Sequence, residues 1–213
     1  MKRSVYSLVL MDDIIRAVDR EACKRGTSRS NLINQILAEH LSCCTPEMRM
    51  REIFGSLSDV ISGSFRIQQQ RSASLMTLRT ALEYKYRPTI NYKVELERAP
   101  DVYLGTLRVS IRTQSGPLIA LFNDFFAYRS RLETALLRAM GCTAEVFSPG
   151  SGSFSRRLIN SGASEEHTGE AISRYLNNLN QSIQAYFTGP EVFHELSPEL
   201  EAEFAGLTHE LLL

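Results

Sequence analysis

The side chains that could carry reaction chemistry are few and poorly arranged for it. Cys43 and Cys44 are adjacent, with His40 three residues before them, and thiolate plus imidazole is a zinc-type donor set. No second Cys or His pair stands at ligand spacing, so a helix end with inert thiols accounts for them more simply. Glu165, Glu166 and His167 are acid/base types, but carboxylates also suit a helix start, where the backbone dipole is positive. Ser148-Pro-Gly-Ser-Gly-Ser153 is glycine-rich, yet it follows no clear strand and holds no lysine for a phosphate. The loop Gly-x-x-x-x-Gly-Lys-Ser/Thr is absent, as are Gly-x-Gly-x-x-Gly and Gly-x-Ser-x-Gly. His167, His194 and His209 show no ligand-like spacing. No catalytic residue, metal site or cofactor is expected, and the chain is not read as an enzyme.

The informative residues lie in the first 45. Residues 4–10 alternate, with Tyr6, Leu8 and Leu10 on one face and Val5, Ser7 and Val9 on the other, which predicts a strand. Asp12 suits a helix start, and Ile14, Ile15, Val18 and Ala22 follow at helical spacing. Lys24 and Arg25 stand where a helix C-terminus favours cations, and Gly26 is placed to end the helix in a left-handed conformation. Thr27 or Ser28 then caps a second helix with Leu32, Ile33, Ile36, Leu37 and Leu41 on one face. One strand and two short helices cannot cover their own apolar surface. The economical solution is a second copy, with two identical strands paired antiparallel above four helices. The outer face of such a ribbon fits the DNA major groove.

Three stretches carry a family resemblance: Arg3-Ser-Val-Tyr-Ser-Leu-Val-Leu10, Met11-Asp-Asp-Ile-Ile-Arg-Ala-Val18 and Gly26-Thr-Ser-Arg-Ser-Asn-Leu-Ile33. Residues 3–41 resemble the ribbon-helix-helix DNA-binding family of MetJ, Arc and CopG type, over about a fifth of the chain. The resemblance implies that Val5, Ser7 and Val9 face bases, with Lys2 and Arg3 just before them. It implies that Thr27, Ser28, Arg29 and Ser30 grip a phosphate at a helix N-terminus. Two departures stand out. Two of the three base-facing residues are valines, where the family usually offers more polar or basic side chains. Asn31 takes the place of the Glu common after Ser-Arg-Ser, which weakens the capping box.

The rest of the chain reads as helices around one hairpin. Pro46 opens a helix with Met50, Ile53, Phe54, Leu57, Val60 and Ile61 in a stripe. A further helix is expected within 68–86, on Leu75, Leu78 and Leu82. Ile90, Tyr92, Val94 and Leu96 alternate with polar residues, as do Leu107, Val109 and Ile111, so a hairpin is the simplest pairing. A long helix follows from Gly116-Pro117 to Gly141. Nine of the seventeen residues 148–164 are Ser or Gly, which reads as a flexible loop. A helix carrying Ile172, Tyr175, Leu176, Leu179 and Ile183 runs to Gly189-Pro190, and an acidic helix near 198–212 ends the chain. The fold class expected is α+β, mainly α: a ribbon-helix-helix over 1–45, then a helical domain with a β-hairpin over 46–213.

The chain has 213 residues, with 24 Lys+Arg against 24 Asp+Glu. Residues 1–140 hold 21 basic and 14 acidic side chains, and residues 141–213 hold 3 and 10. A basic body with an acidic end suits a polyanionic partner at the front. No apolar run approaches the roughly 18 residues that span a bilayer, and no signal-peptide core follows Met1, so a cytoplasmic, nucleoid-associated protein with reduced thiols is expected. The expected partners are double-stranded DNA and a second copy of the chain, as a dimer or higher even oligomer, without membrane. A small-molecule or protein effector is open to residues 46–213. The expected role is a sequence-specific transcriptional regulator. An antitoxin, a plasmid partition or transfer accessory, and a protein-interaction module without DNA are the alternatives.

Overall fold

The computed structural model describes residues 7–41, 43–61, 63–68, 72–142 and 146–211. The chain divides into two compact units, Met1–Arg49 and Met50–Leu213. The division falls inside a helix, a few residues past the 45/46 boundary expected from Thr45-Pro46.

The first unit holds helices α1 (Asp12–Lys24) and α2 (Arg29–His40). Asp12 and Asp13 stand in the first turn of α1 and Lys24 in the last, as the helix dipole favours. Gly26, at φ +58°, ends α1. Its N–H donates to Cys23 O at 3.2 Å and the Thr27 N–H donates to Ala22 O at 3.0 Å, a Schellman closure. Ser28 caps α2, its hydroxyl accepting from the Asn31 N–H at 3.2 Å. The core of this unit is small: Val18, Ala22 and Leu32, with Ile33 packed against them. Residues 7–10 carry no strand, and the rest of the expected strand lies outside the described residues. All described strands follow the first three helices. The expected N-terminal ribbon is therefore not shown among the described residues.

The second unit is a two-layer α+β structure. After α3 (Pro46–Val60) come β1 (Arg66–Gln68), β2 (Leu75–Ala81), β3 (Thr89–Leu96) and β4 (Tyr103–Arg112). Then follow α4 (Gly116–Ala139), β5 (Phe147–Gly150), β6 (Ser153–Ile159), α5 (Glu165–Thr188) and α6 (Pro190–Leu211). The strands form one antiparallel six-stranded sheet in the order β1-β2-β3-β4-β6-β5. The expected β3–β4 hairpin is its centre, pairing Tyr92 with Val109 and Lys93 with Arg108.

Two expectations are corrected. Residues 75–81 are a strand, not a helix. Leu75, Leu78 and Leu82 match a helical period by coincidence, whereas Met76, Leu78 and Thr80 are the buried alternation. Residues 147–159 are a β-hairpin, not a flexible loop. Serines 153 and 155 occupy the outward positions of β6, while Phe154, Arg156 and Leu158 point into the core. Composition hid a period of two. The helical domain with one hairpin is therefore a full sheet covered by helices.

Every helix of this unit packs on one side of the sheet. Val94, Leu107 and Phe154 of that face share one cluster with Met50 and Leu57 of α3, Phe122 and Phe125 of α4, and Ile172, Leu176 and Leu179 of α5. Gly169 lets α5 approach α3 closely: a Cβ there would meet Ile53 O and lie 2.9 Å from Leu57 N. The opposite face carries no buried residue among the strand positions that point to it. The two edge strands are the shortest, three residues in β1 and four in β5. No helix among the described residues is long and apolar enough to cross a membrane.

Candidate nucleic-acid interface

The expected contact residues divide into two groups. Lys2, Arg3 and Val5 lie outside the described residues. Ser7 and Val9 are exposed on the segment before α1. Thr27, Ser28, Arg29 and Ser30 share one turn at the start of α2. Of these, Ser28 is committed to its cap, and Ser30 O accepts from Asn34 Nδ2 at 2.9 Å. Arg29 turns back to α1, its Nη2 donating to Asp19 Oδ2 at 2.6 Å. Arg29 is exposed while Asp19 is half-buried, so solvent screens the pair and it holds Arg29 by on the order of 1 kcal/mol. A phosphate placed at the α2 start would compete with Asp19 for the same guanidinium.

What dominates the first unit is uncovered apolar surface. Leu8 is 55% exposed, Ile14 41%, Ile36 48%, Leu37 45% and Leu41 65%. Met11 and Val9 are more exposed still. Ile36, Leu37 and Leu41 belong to the α2 stripe, and Ile14 belongs to the α1 stripe, so sequence periodicity and exposure mark the same residues. Seven large apolar side chains exposed in so small a unit are more than a monomer's scattered surface apolar residues need.

The second unit holds a buried polar network that the sequence did not single out. Arg129 Nε donates to Glu133 Oε1 at 2.6 Å, and Tyr175 OH donates to the same oxygen at 2.8 Å. Arg156 Nε lies 3.0 Å from Glu133 Oε2, a charge contact more than an aligned hydrogen bond. Arg129 Nη2 donates to Asn178 Oδ1 at 2.9 Å. The guanidinium of Arg129 stacks 4.2 Å from the Phe204 ring, and that of Arg156 4.3 Å from the Tyr175 ring. Burial pushes the Tyr175 and Tyr92 hydroxyls well above the ordinary phenol range. Two cations thus share one buried carboxylate under aromatic cover. Its signal in the sequence was Arg129 and Glu133, spaced four apart inside the apolar stripe of α4.

One groove of about 1440 Å3 opens in the second unit between β1, β2, α5 and α6. Thr80 and Asn180 form its buried polar floor, and Asn180 Oδ1 accepts from Tyr92 OH at 3.1 Å. Ile67, Gln184 and Leu196 stand on its walls. Among the described residues no group of three or more His, Cys, Asp or Glu side chains could hold a metal ion.

Comparison with protein-family models, with curated proteins and with solved structures finds no match for this chain.

Proposed function

We propose that this chain is a homodimeric, sequence-specific DNA-binding protein acting as a transcriptional regulator. Residues 1–45 of two copies form a ribbon-helix-helix, with the paired strands in the major groove. The observation that carries this reading is the mismatch between the first unit's small core and its exposed apolar stripe. Val18, Ala22 and Leu32 are buried, while Leu8, Ile14, Ile36, Leu37 and Leu41 face water in one chain. A second copy supplies cover for that stripe and a strand partner for residues 4–10 together. The Gly26 closure and the Ser28 cap fix the sharp turn between α1 and α2 that the motif needs.

In this reading Ser7 reads a base edge, Val5 and Val9 touch thymine methyl groups, and the α2 start with Arg29 holds a phosphate. The groove beside α5 and α6 is where an effector would act. The test is selection of random duplex DNA by the purified full chain, with binding repeated at two salt concentrations. Enrichment of a short inverted or tandem motif is expected. Weak binding that enriches nothing and vanishes at the higher salt would overturn the reading and leave the first unit a dimer handle.

A further inference from the structure

The uncovered face of the six-stranded sheet is cationic in a way that sheet formation does not explain. Its strand positions carry Arg66, Arg79, Lys93, Arg108, Arg112 and Arg157, against Glu95 and, just past β3, Glu97. All of these cations but Arg79 are exposed, and Arg79 is half-buried. Glu97 is already engaged by Arg157, 3.9 Å away. Two like-charged pairs stand directly opposite each other: Lys93 with Arg108 across β3 and β4, and Arg66 with Arg79 across β1 and β2. Like charges at such sites weaken strand pairing. Alternation requires only that these positions be polar, and Thr77, Asn91, Thr106, Ser110 and Ser155 on the same face meet that requirement without charge.

From this we infer that the open sheet face is a second phosphate-binding surface, and that its occupant is the backbone of duplex DNA. The cations offer charge complementarity to a polyanion. Among the described strand positions of this face the aromatic is Tyr103, and it lies under the Arg157 guanidinium at 3.7 Å, not free to stack an unpaired base. The side chains sit on a flat sheet, not on a helix or ribbon that enters a groove, so they contact phosphates and read no sequence. The surface rests on the DNA-binding reading and adds non-specific grip to the specificity assigned to the ribbon.

The experiment measures duplex binding by the full chain as a function of salt, on selected and on random DNA, for three proteins: wild type, Lys93→Thr/Arg108→Thr and Arg29→Ala. Threonine suits a strand and removes a like-charge pair, so the double variant should fold and melt higher than wild type. Its affinity should fall roughly tenfold on both DNAs, and the slope of log K against log salt should drop by about 2. Wild-type affinity and slope in a folded double variant would overturn the surface, while loss in Arg29→Ala would keep the ribbon. Loss in the double variant with no effect of Arg29→Ala and no sequence preference would support the surface and overturn the ribbon as reader. Wild type that binds no duplex overturns both.

Discussion

Glu133 and Arg156 form an ion pair with both side chains fully enclosed, Nε to Oε2 at 3.0 Å, and Glu133 serves Arg129 as well. The carboxylate is thus a counter-charge shared by two buried guanidinium groups. Removing its charge takes that shared counter-charge from two buried cations. Glu133→Gln should destabilise the second unit by about 3–5 kcal/mol, read as a shift in the urea midpoint. A shift under 1 kcal/mol would mean that the pair is hydrated.

The apolar stripe of the first unit sets up a sharper test. Leu37 and Leu8 are about half exposed in one chain, so an aspartate at either costs little if the protein is a monomer. In a shared dimer core the same aspartate buries a charge without a partner. Leu37→Asp and Leu8→Asp should each convert a dimer to a monomer in sedimentation equilibrium. Unchanged mass would remove the support for the ribbon.

Arg29 and Ser7 should separate positioning from reading. Arg29→Ala should weaken binding to operator and random DNA alike, with little change in stability, because the Arg29 side chain is itself largely in solvent. Ser7→Ala should instead relax preference at one base pair per half-site. Competition binding against operators altered one base at a time distinguishes the two patterns.

Alkaline stability should carry the mark of Tyr128. Burial, then its hydrogen bond to Glu201, pushes this phenol up to about 12 from an ordinary value of 10. A folded pKa above the unfolded one stabilises fully below pH 10, and that contribution is lost as pH rises from 10 toward 12. Tyr128→Phe should flatten the stability curve in that window, followed by thermal unfolding at several pH values. Since burial is the larger cause, Glu201→Gln should lower the pKa but not restore it to 10. The contribution is modest, because much of the side chain remains in contact with solvent.

Legibility followed periodicity. α1, α2, the start of α3, the β3–β4 hairpin, α4 and α5 each had an apolar period or a cap that a single sequence displays. β2 was lost because three leucines fell at helical spacing while Thr77 and Thr80, which favour strands, were outweighed. The β5–β6 hairpin was lost because serine and glycine dominate its outward positions and turn. The buried network escaped because a charged side chain in a helix is ordinarily a solvated one, and only the packing of α4 against α5 and β6 turns Arg129, Glu133 and Arg156 inward. The cations of the sheet face were visible singly, as polar partners in an alternation. Their union on one surface depended on the register of strands up to 90 residues apart in the chain, which no local pattern encodes.

The short edge strands have a consequence for assembly. β1 offers a passing strand three residues and carries Arg66, while Pro149 in β5 lacks the N–H that pairing would need. Neither edge is a template on which further strands could accrete. Copies gathered at high local density are therefore steered away from open-ended growth at the sheet edges, and the proposed dimer would associate through the apolar stripe of the first unit. In the proposed dimer, two-fold symmetry at that stripe would use up the sticky surface and close the assembly.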